Sequence, residues 1–374
     1  MVKLIGNVQF RRPHDSFQRA LQKDTTFIKG SQDIFVPADK TRNLYRMGKM
    51  RYEKLLWENI TKHYKTAEED AYDKINEEAR VIASKLGIAD RMDAMTRRET
   101  FITLKDHKEN FESGLPCRLI NPAKSEMGRV SKRVLDSINS KLKGRLNVTL
   151  WNNSAAVIDW FRSIEMKETC TFMSFDIVEF YPSISEDLLH RAILFAKGYI
   201  TITDEEVDII QHSRKSLLFS KGRAWMKKEG LGLFDVAMGS YDGAEICELV
   251  GMFALSQLPE RYNRRDIGLY RDDGLAVFRG MSGSMAERAR KDITKSFNDL
   301  GLRITIQSNL RTVNFLDVTL NLCNGKYYPY RKPNDKPLYI NRLSNHPPLI
   351  LKRLTSAISS RRLANISYLS LIHI

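Results

Sequence analysis

The sequence predicts an α+β fold in which short antiparallel strands and amphipathic helices follow one another without strict βαβ alternation. Three observations carry this. Ile267-Gly268-Leu269-Tyr270 and Leu275-Ala276-Val277-Phe278 flank Arg271-Asp272-Asp273-Gly274, the pattern of a hairpin with two acids at its tip. Thr171-Phe172-Met173-Ser174-Phe175-Asp176-Ile177-Val178 is an apolar run with an acid close to its end, just before a turn into a helix. A helical pattern over 286–300 is followed by strand patterns over 302–306 and 313–320, which complete a sheet.

The other elements read in order. The first 40 or so residues are irregular and polar, an extension or an incomplete start. Over 43–63 apolar residues recur at helical spacing (Leu44, Met47, Met50, Leu55, Leu56, Ile60). A second helix follows, with Thr66 and Glu69 as a capping box and Gly87 as its stop. Phe101-Ile102-Thr103-Leu104 and Arg118-Leu119-Ile120 read as strands around a polar loop that carries basic groups. Helices follow over 123–146, rich in Lys and Arg, and over 151–165. After Asp176, Ser183 and Glu186 box the start of a helix that runs to about Lys197.

With 374 residues, 42% of them hydrophobic, the chain is long enough for two or three compact units, which excludes disordered and fibrous classes. No stretch reaches the ~18–20 apolar residues needed to cross a bilayer, and the first residues are too short for a signal-peptide core. A soluble intracellular chain, nuclear or cytoplasmic, with no membrane partner is therefore expected. Cys117, Cys170, Cys247 and Cys323 lie far apart, with no His at zinc-ligand spacing, so a zinc site and a disulfide framework both drop out. Sixty Lys and Arg against 45 Asp and Glu leave a net charge of +15, which suits a polyanionic partner. Over half of that surplus lies beyond residue 320, where nine Lys or Arg face one acid, Asp335. There Pro347-Pro348 open a helix with Leu349, Ile350, Leu354 and Ile358 on one side and Lys352, Arg353, Arg361 and Arg362 elsewhere, a fit to a phosphate backbone.

Asp-Asp-Gly taken alone is an ordinary solvated turn. Asp176 changes that reading, because a carboxylate on an apolar strand is awkward without a partner. Carboxylates that converge from two distant stretches are what a pair of Mg2+ ions needs, and nucleotidyl transfer is the reaction class this predicts. Tyr181, five residues after Asp176, would close the floor of a nucleotide pocket and clash with a ribose 2′-hydroxyl, favouring deoxyribonucleotides.

The order Phe175-Asp176 with Tyr181, Ala237-Met238-Gly239-Ser240, Tyr270-Arg271-Asp272-Asp273 and Asn314-Phe315-Leu316-Asp317-Val318 resembles palm motifs A, B, C and E of reverse transcriptases. Leu104-Lys105-Asp106-His107-Lys108 with Pro116-Cys117-Arg118-Leu119-Ile120 is similar to the fingers of Penelope-like retroelement enzymes. So is Arg331-Lys332-Pro333-Asn334-Asp335 with Asn345-His346-Pro347-Pro348. The resemblance covers about residues 100–355 and implies a right-hand polymerase-like architecture: an N-terminal, mostly helical extension (1–99), fingers (100–170), an antiparallel-sheet palm (171–320) and the start of a helical thumb (321–374), cut short by the end of the chain.

The resemblance further implies an RNA-directed DNA polymerase that takes an RNA template, a DNA primer and dNTPs, with two Mg2+ ions, or Mn2+ in their place. Asp176 and Asp272 would bind the metals, Asp273 would support them and Tyr181 would be the sugar gate. Arg118 with Lys105 or Lys108 would hold the triphosphate, Arg as a fork and Lys as a point charge. Gly239 and Ser240 would let the backbone pass close to nucleotide and template. The chain departs from the family at Met238, where Gln is usual, at Tyr241-Asp242-Gly243-Ala244, which replaces a Pro-rich continuation, and at Asp317, where Gly is common. No general acid is assigned after Gly301-Leu302; Arg303 and Arg311 are the candidates. No protein partner and no second nuclease constellation is identifiable. The competing reading is an inactive reverse-transcriptase relic that binds nucleic acid. Tyr181 stands against viral RNA polymerases, which commonly have an acid there, and the adjacent Asp272 and Asp273 against family B DNA polymerases, which separate theirs.

Overall fold

The computed structural model describes residues 15–41, 43–108, 110–228, 232–280, 283–330 and 349. The thumb helix expected after Pro347, and the runs beginning at Arg331 and Asn345, lie outside the described residues. The described chain forms two compact units, one of residues up to Trp57 together with Thr103–Arg118, the other of Glu58–Ile102 and residues 119–330.

The first unit holds helix α1 (Asp15–Gly30), strands β1 (Asp33–Pro37) and β2 (Leu44–Gly48), and the beginning of α2 (Lys49–His63). β1 and β2 pair antiparallel from Asp33↔Gly48 to Pro37↔Leu44. The irregular start expected from the sequence is thus a helix and a strand. The helix expected over 43–63 begins only at Lys49, because Leu44 and Met47 belong to β2. Their spacing suited either period; Met47 is buried from the strand, whereas Leu44 and Met50 are exposed.

In the second unit β3 (Tyr64–Thr66), β9 (Arg223–Lys227) and β8 (Leu218–Ser220) form a three-stranded sheet. Thr66 therefore pairs with Trp225 instead of capping a helix. Helix α3 (Ala71–Lys85) starts at Asp70, without a side-chain cap, and Gly87, at φ 67°, stops it as expected. β4 (Phe101–Leu104) and β5 (Cys117–Ile120) form the two-stranded ribbon expected of them.

The central sheet has the order β12-β7-β11-β10-β6, with β6 (Thr149–Leu150), β7 (Cys170–Ile177), β10 (Ile267–Tyr270), β11 (Asp273–Arg279) and β12 (Ile304–Leu310). Side chains alternate along it, as a sheet covered on both faces requires. Met173, Phe175 and Ile177 join one core with α4 (Glu126–Lys143), α7 (Glu186–Lys197), α8 (Asp204–His212), α9 (Gly243–Ser256) and α10 (Gly283–Asn298). Cys170 and Phe172 join a second with α5 (Ser154–Ser163) and with β13 (Thr312–Phe315) and β14 (Val318–Asn321), which pair with each other, β14 pairing on its other edge with β15 (Tyr327–Pro329).

Local chemistry shifts several boundaries. Ser185, not Ser183, caps α7: its hydroxyl accepts from the Leu188 amide, and Phe180–Ser183 is a separate turn of helix, α6. Ser125 and Asn153 cap α4 and α5, so both helices start later than the sequence predicted. The strand expected over 313–320 is a hairpin, broken at Leu316-Asp317 where Leu316 takes φ 53°. Gly274 is also not a turn residue. It lies in β11 opposite Phe175, and a Cβ there would stand 2.2 Å from the Phe175 ring.

Candidate active site

Folding brings the distant acids together through sheet register. β7 and β11 are antiparallel neighbours in which Asp176 and Asp273 are direct partners, and the Ile177 amide donates to the Asp272 carbonyl at 2.9 Å. Asp176 and Asp273 leave the sheet on one face, where the second core runs out. Asp176 is exposed, Asp272 and Asp273 half-buried. The sequence argument expected a buried carboxylate at 176; the strand end is instead open to solvent.

Partners on adjacent strands place their Cβ atoms about 4.5–5.5 Å apart, and like charges there repel. Two residues with left-handed backbone flank this pair: Glu179, φ 50°, which turns β7 into α6, and Arg271, φ 56°, which with Asp272 makes the two-residue turn between β10 and β11. Strain of this kind, about 1–2 kcal/mol for each non-glycine residue, persists where its surroundings fix it.

Tyr181 lies on α6, half-buried, next to the same turn. Burial, and then the neighbouring Cys247 thiol and the Asp272 charge, push its phenol up to about 12, so the ring stays neutral. Cys247, buried on α9, is itself pushed up, by burial first and then by the Asp272 charge. Cys247 also borders a cavity of about 130 Å3 that Trp151, Gly251, Tyr270 and Arg271 line.

The segment before α9 is held tightly. Gly239, φ 109°, could carry no side chain, because its Cβ would stand 2.6 Å from the Asn121 carbonyl oxygen. The close approach at Gly239 is thus to this chain's own backbone. Ser240 faces Gly243, and a Cβ on Gly243 would lie 2.7 Å from the Ser240 oxygen and 3.1 Å from Tyr181 Cε1. Asp242, fully buried at the start of α9, is ion-paired with the buried Arg214, and the Ser213 hydroxyl lies 2.8 Å from its second oxygen. Removing one partner of such a pair costs about 3–5 kcal/mol. Tyr241 is flanked by Lys124 and Arg129, whose charges lie 4.6 and 4.8 Å from its ring centre. Arg214 was not singled out from the sequence, Asp242 and Gly243 were noted only as part of a departure from the family pattern, and Cys247 only as one of four dispersed cysteines. Helix propensity and spacing carry no trace of a buried ion pair, whereas the Gly243 signal, a glycine opening an apolar run, was present.

Arg118, Lys105 and Lys108 belong to the other unit. Arg118 is ion-paired with the buried Asp39 at 2.9 Å. Asp106, between the two lysines, accepts from Thr41, from Asn43 at 2.8 Å and from Tyr45 at 3.0 Å. Partial burial opposes its ionisation, but these hydrogen bonds outweigh it and hold the carboxyl below its ordinary value. The loop that bears the lysines is therefore pinned to the β1–β2 hairpin.

Among the described residues no group of three acidic, His or Cys side chains is gathered to hold a metal ion, and no helix is long and apolar enough to cross a membrane. Mg2+ usually takes one or two carboxylates and completes its shell with water and substrate phosphates, so the opposed pair at a solvent-open strand end still fits it.

No family model and no curated protein matches the chain. Solved structures do match it. The apo telomerase of Candida tropicalis, truncated from its C-terminal domain, superposes with a TM-score of 0.54 at 12% identity, covering 84% of this chain and 68% of that one. The same organism's telomerase in complex with a fragment of telomeric RNA gives 0.56 at 12% identity, covering 93% of this chain and 60% of that one. The RNA-dependent RNA polymerase of a human picobirnavirus matches more distantly, with a TM-score of 0.45 at 11% identity. The fold is therefore a mixed α/β fold of the polymerase kind, and the chain spans about 60% of the RNA-bound telomerase it matches.

Proposed function

We propose that this chain is an RNA-directed DNA polymerase of a retroelement, closest in motif pattern to Penelope-like reverse transcriptases, that adds dNTPs to a DNA primer on an RNA template. The observation that supports it most is the register of the sheet, which sets Asp176 opposite Asp273 and next to Asp272. The likeness to telomerase supports the polymerase fold; the motif order supports the reverse transcriptase.

Asp176 and Asp272 would hold two divalent ions together with the substrate phosphates, and Asp273 would add charge beside them. Bound Mg2+ would supply a lowered pKa for the primer hydroxyl and charge neutralisation at the phosphorus. The chain's own side chains do the rest. Tyr181, a neutral ring at the edge of the pocket, excludes a ribose 2′-hydroxyl. Arg118, with Lys105 or Lys108, holds the triphosphate, and Ser240 borders the nucleotide. The basic surface binds template and primer mainly through phosphates.

Primer extension on an RNA template with dNTPs and Mg2+ tests this. DNA synthesis that disappears in Asp272→Ala is the expected result. Salt-sensitive RNA binding without synthesis would overturn it in favour of the inactive nucleic-acid-binding relic, which the departures at Met238 and after Ser240 favour.

A further inference from the structure

Tyr181 does not stand alone at the edge of the pocket: its ring is seated in a slot cut into α9. Gly243, in the first turn of that helix, has no side chain where a Cβ would come 3.1 Å from Tyr181 Cε1. Cys247, one turn further along the same face, packs in the same core as Tyr181. The Ser240 hydroxyl points at the same place and, buried, has no hydrogen-bond partner among the described residues. Helix α9 itself is anchored through the buried Asp242–Arg214 pair. The slot therefore has a fixed back wall at residues 243 and 247.

We propose that Gly243 and Cys247 are specificity-determining positions that set how strongly a ribose is excluded, by fixing how far the Tyr181 ring stands from α9. This rests on the reading of Tyr181 as the sugar gate. Two substitutions act in opposite directions. A methyl group at residue 243 displaces the Ser240 hydroxyl, 2.7 Å from the added Cβ, and presses the ring, 3.1 Å from it, away from α9 by a few tenths of an ångström, narrowing the pocket. Loss of the thiol at residue 247 removes bulk from the core behind the ring, and the cavity that this residue also borders lets the ring retreat.

The test is competition between dNTPs and rNTPs in primer extension by the full chain. Cys247→Ala should raise relative ribonucleotide incorporation about 3- to 10-fold, the scale of losing the packing of one buried group of methylene size, and Cys247→Ser, which keeps a side chain of nearly the same size, should restore most of the discrimination. Gly243→Ala should raise KM for dNTPs with little change in kcat and should not raise ribonucleotide use. Unchanged discrimination in the residue 243 and 247 variants, alongside a shift in Tyr181→Ala, overturns the wall and leaves the gate standing. Unchanged discrimination in Tyr181→Ala overturns the gate, and the wall with it. Should Gly243→Ala fail to fold, the Cys247→Ala and Cys247→Ser pair decides alone.

Discussion

Two hairpins in this molecule share one turn and differ in almost everything around it. In β10–β11 the turn is Arg271-Asp272 between Tyr270 and Asp273; in β13–β14 it is Leu316-Asp317 between Phe315 and Val318. Both first residues are left-handed, at φ 56° and 53°, and both turns end in an aspartate. Leu316 packs against the second core, so burial of its side chain offsets the strain. Arg271 is exposed, its guanidinium 5.8 Å from the Tyr270 ring centre, so burial offsets less of its strain. After the turn, one strand continues with Asp273 opposite Asp176 and the other with the fully buried Val318. An acidic turn is thus not a signature of chemistry. What distinguishes the first hairpin is the strand beside it.

The largest predicted difference between the two follows directly. Asp272→Ala should lower kcat of primer extension about 10^3-fold or more, as expected when several kcal/mol of charge stabilisation at the transition state is removed. Asp317→Ala should cost no more than about ten-fold and should act through primer binding, since each tenfold is 1.4 kcal/mol, the scale of a single surface contact. Equal losses in steady-state kinetics would erase the distinction.

The next residue but one gives a stability contrast. Gly274 and Thr319 are equivalent positions, yet Thr319 carries a side chain hydrogen-bonded to Asn314 at 2.7 Å, while Gly274 leaves room for the Phe175 ring. Gly274→Ala should destabilise the fold by about 1–3 kcal/mol, an overpacking effect. Thr319→Ala should cost about 1 kcal/mol, the loss of one partly exposed hydrogen bond. Denaturant midpoints at constant m-value would read both, and a tolerated Gly274→Ala would mean that the ring has somewhere else to go.

These hairpins also show how much was legible in the sequence. The pairing strands, Ile267–Tyr270 and the run that ends near Asp176, were visible because apolar residues sit there at strand length. The roles of the glycines were not. Asp-Gly is a strong turn signal, yet Gly274 serves a ring on a strand about 100 residues away in sequence, and no local pattern records that. The same holds for Leu316: nothing marks a leucine as left-handed, so one strand was expected where there are two. Likewise Met47 read as helical until β1 supplied a partner for its strand. The acids of the candidate site could be picked out individually, but their direct opposition is a property of register, which only the folded sheet fixes.

A smaller effect separates the two strained residues themselves. Arg271→Gly should relieve the left-handed backbone and stabilise the fold by up to about 1 kcal/mol, the strain relieved less the entropy glycine adds to the unfolded chain. Leu316→Gly relieves the same strain but gives up the packing of the leucine, so it should be neutral or destabilising. Melting temperatures that rise equally in both would show that packing does not offset the strain at Leu316.

The finest contrast is electrostatic and has a definite sign. The fold raises the Tyr181 phenol from its ordinary value of 10.0 to about 12, by burial first and then by the neighbouring Cys247 and the Asp272 charge, against the opposing Arg271. A group that the fold keeps protonated in this way contributes stability that is complete below pH 10 and is lost as pH rises toward 12. Asp272→Asn removes one of the charges that raise it, so Tyr181 should ionise at lower pH while burial still keeps it above the ordinary value, and the alkaline loss of stability should begin sooner. Asp317→Asn, in the matching turn, should leave the titration where it was. Tyrosinate absorbance read as a difference against Tyr181→Phe isolates the one phenol among 14 tyrosines. An Asp272→Asn curve that coincides with the parent would place the Asp272 charge too far from the ring to share a pocket with it.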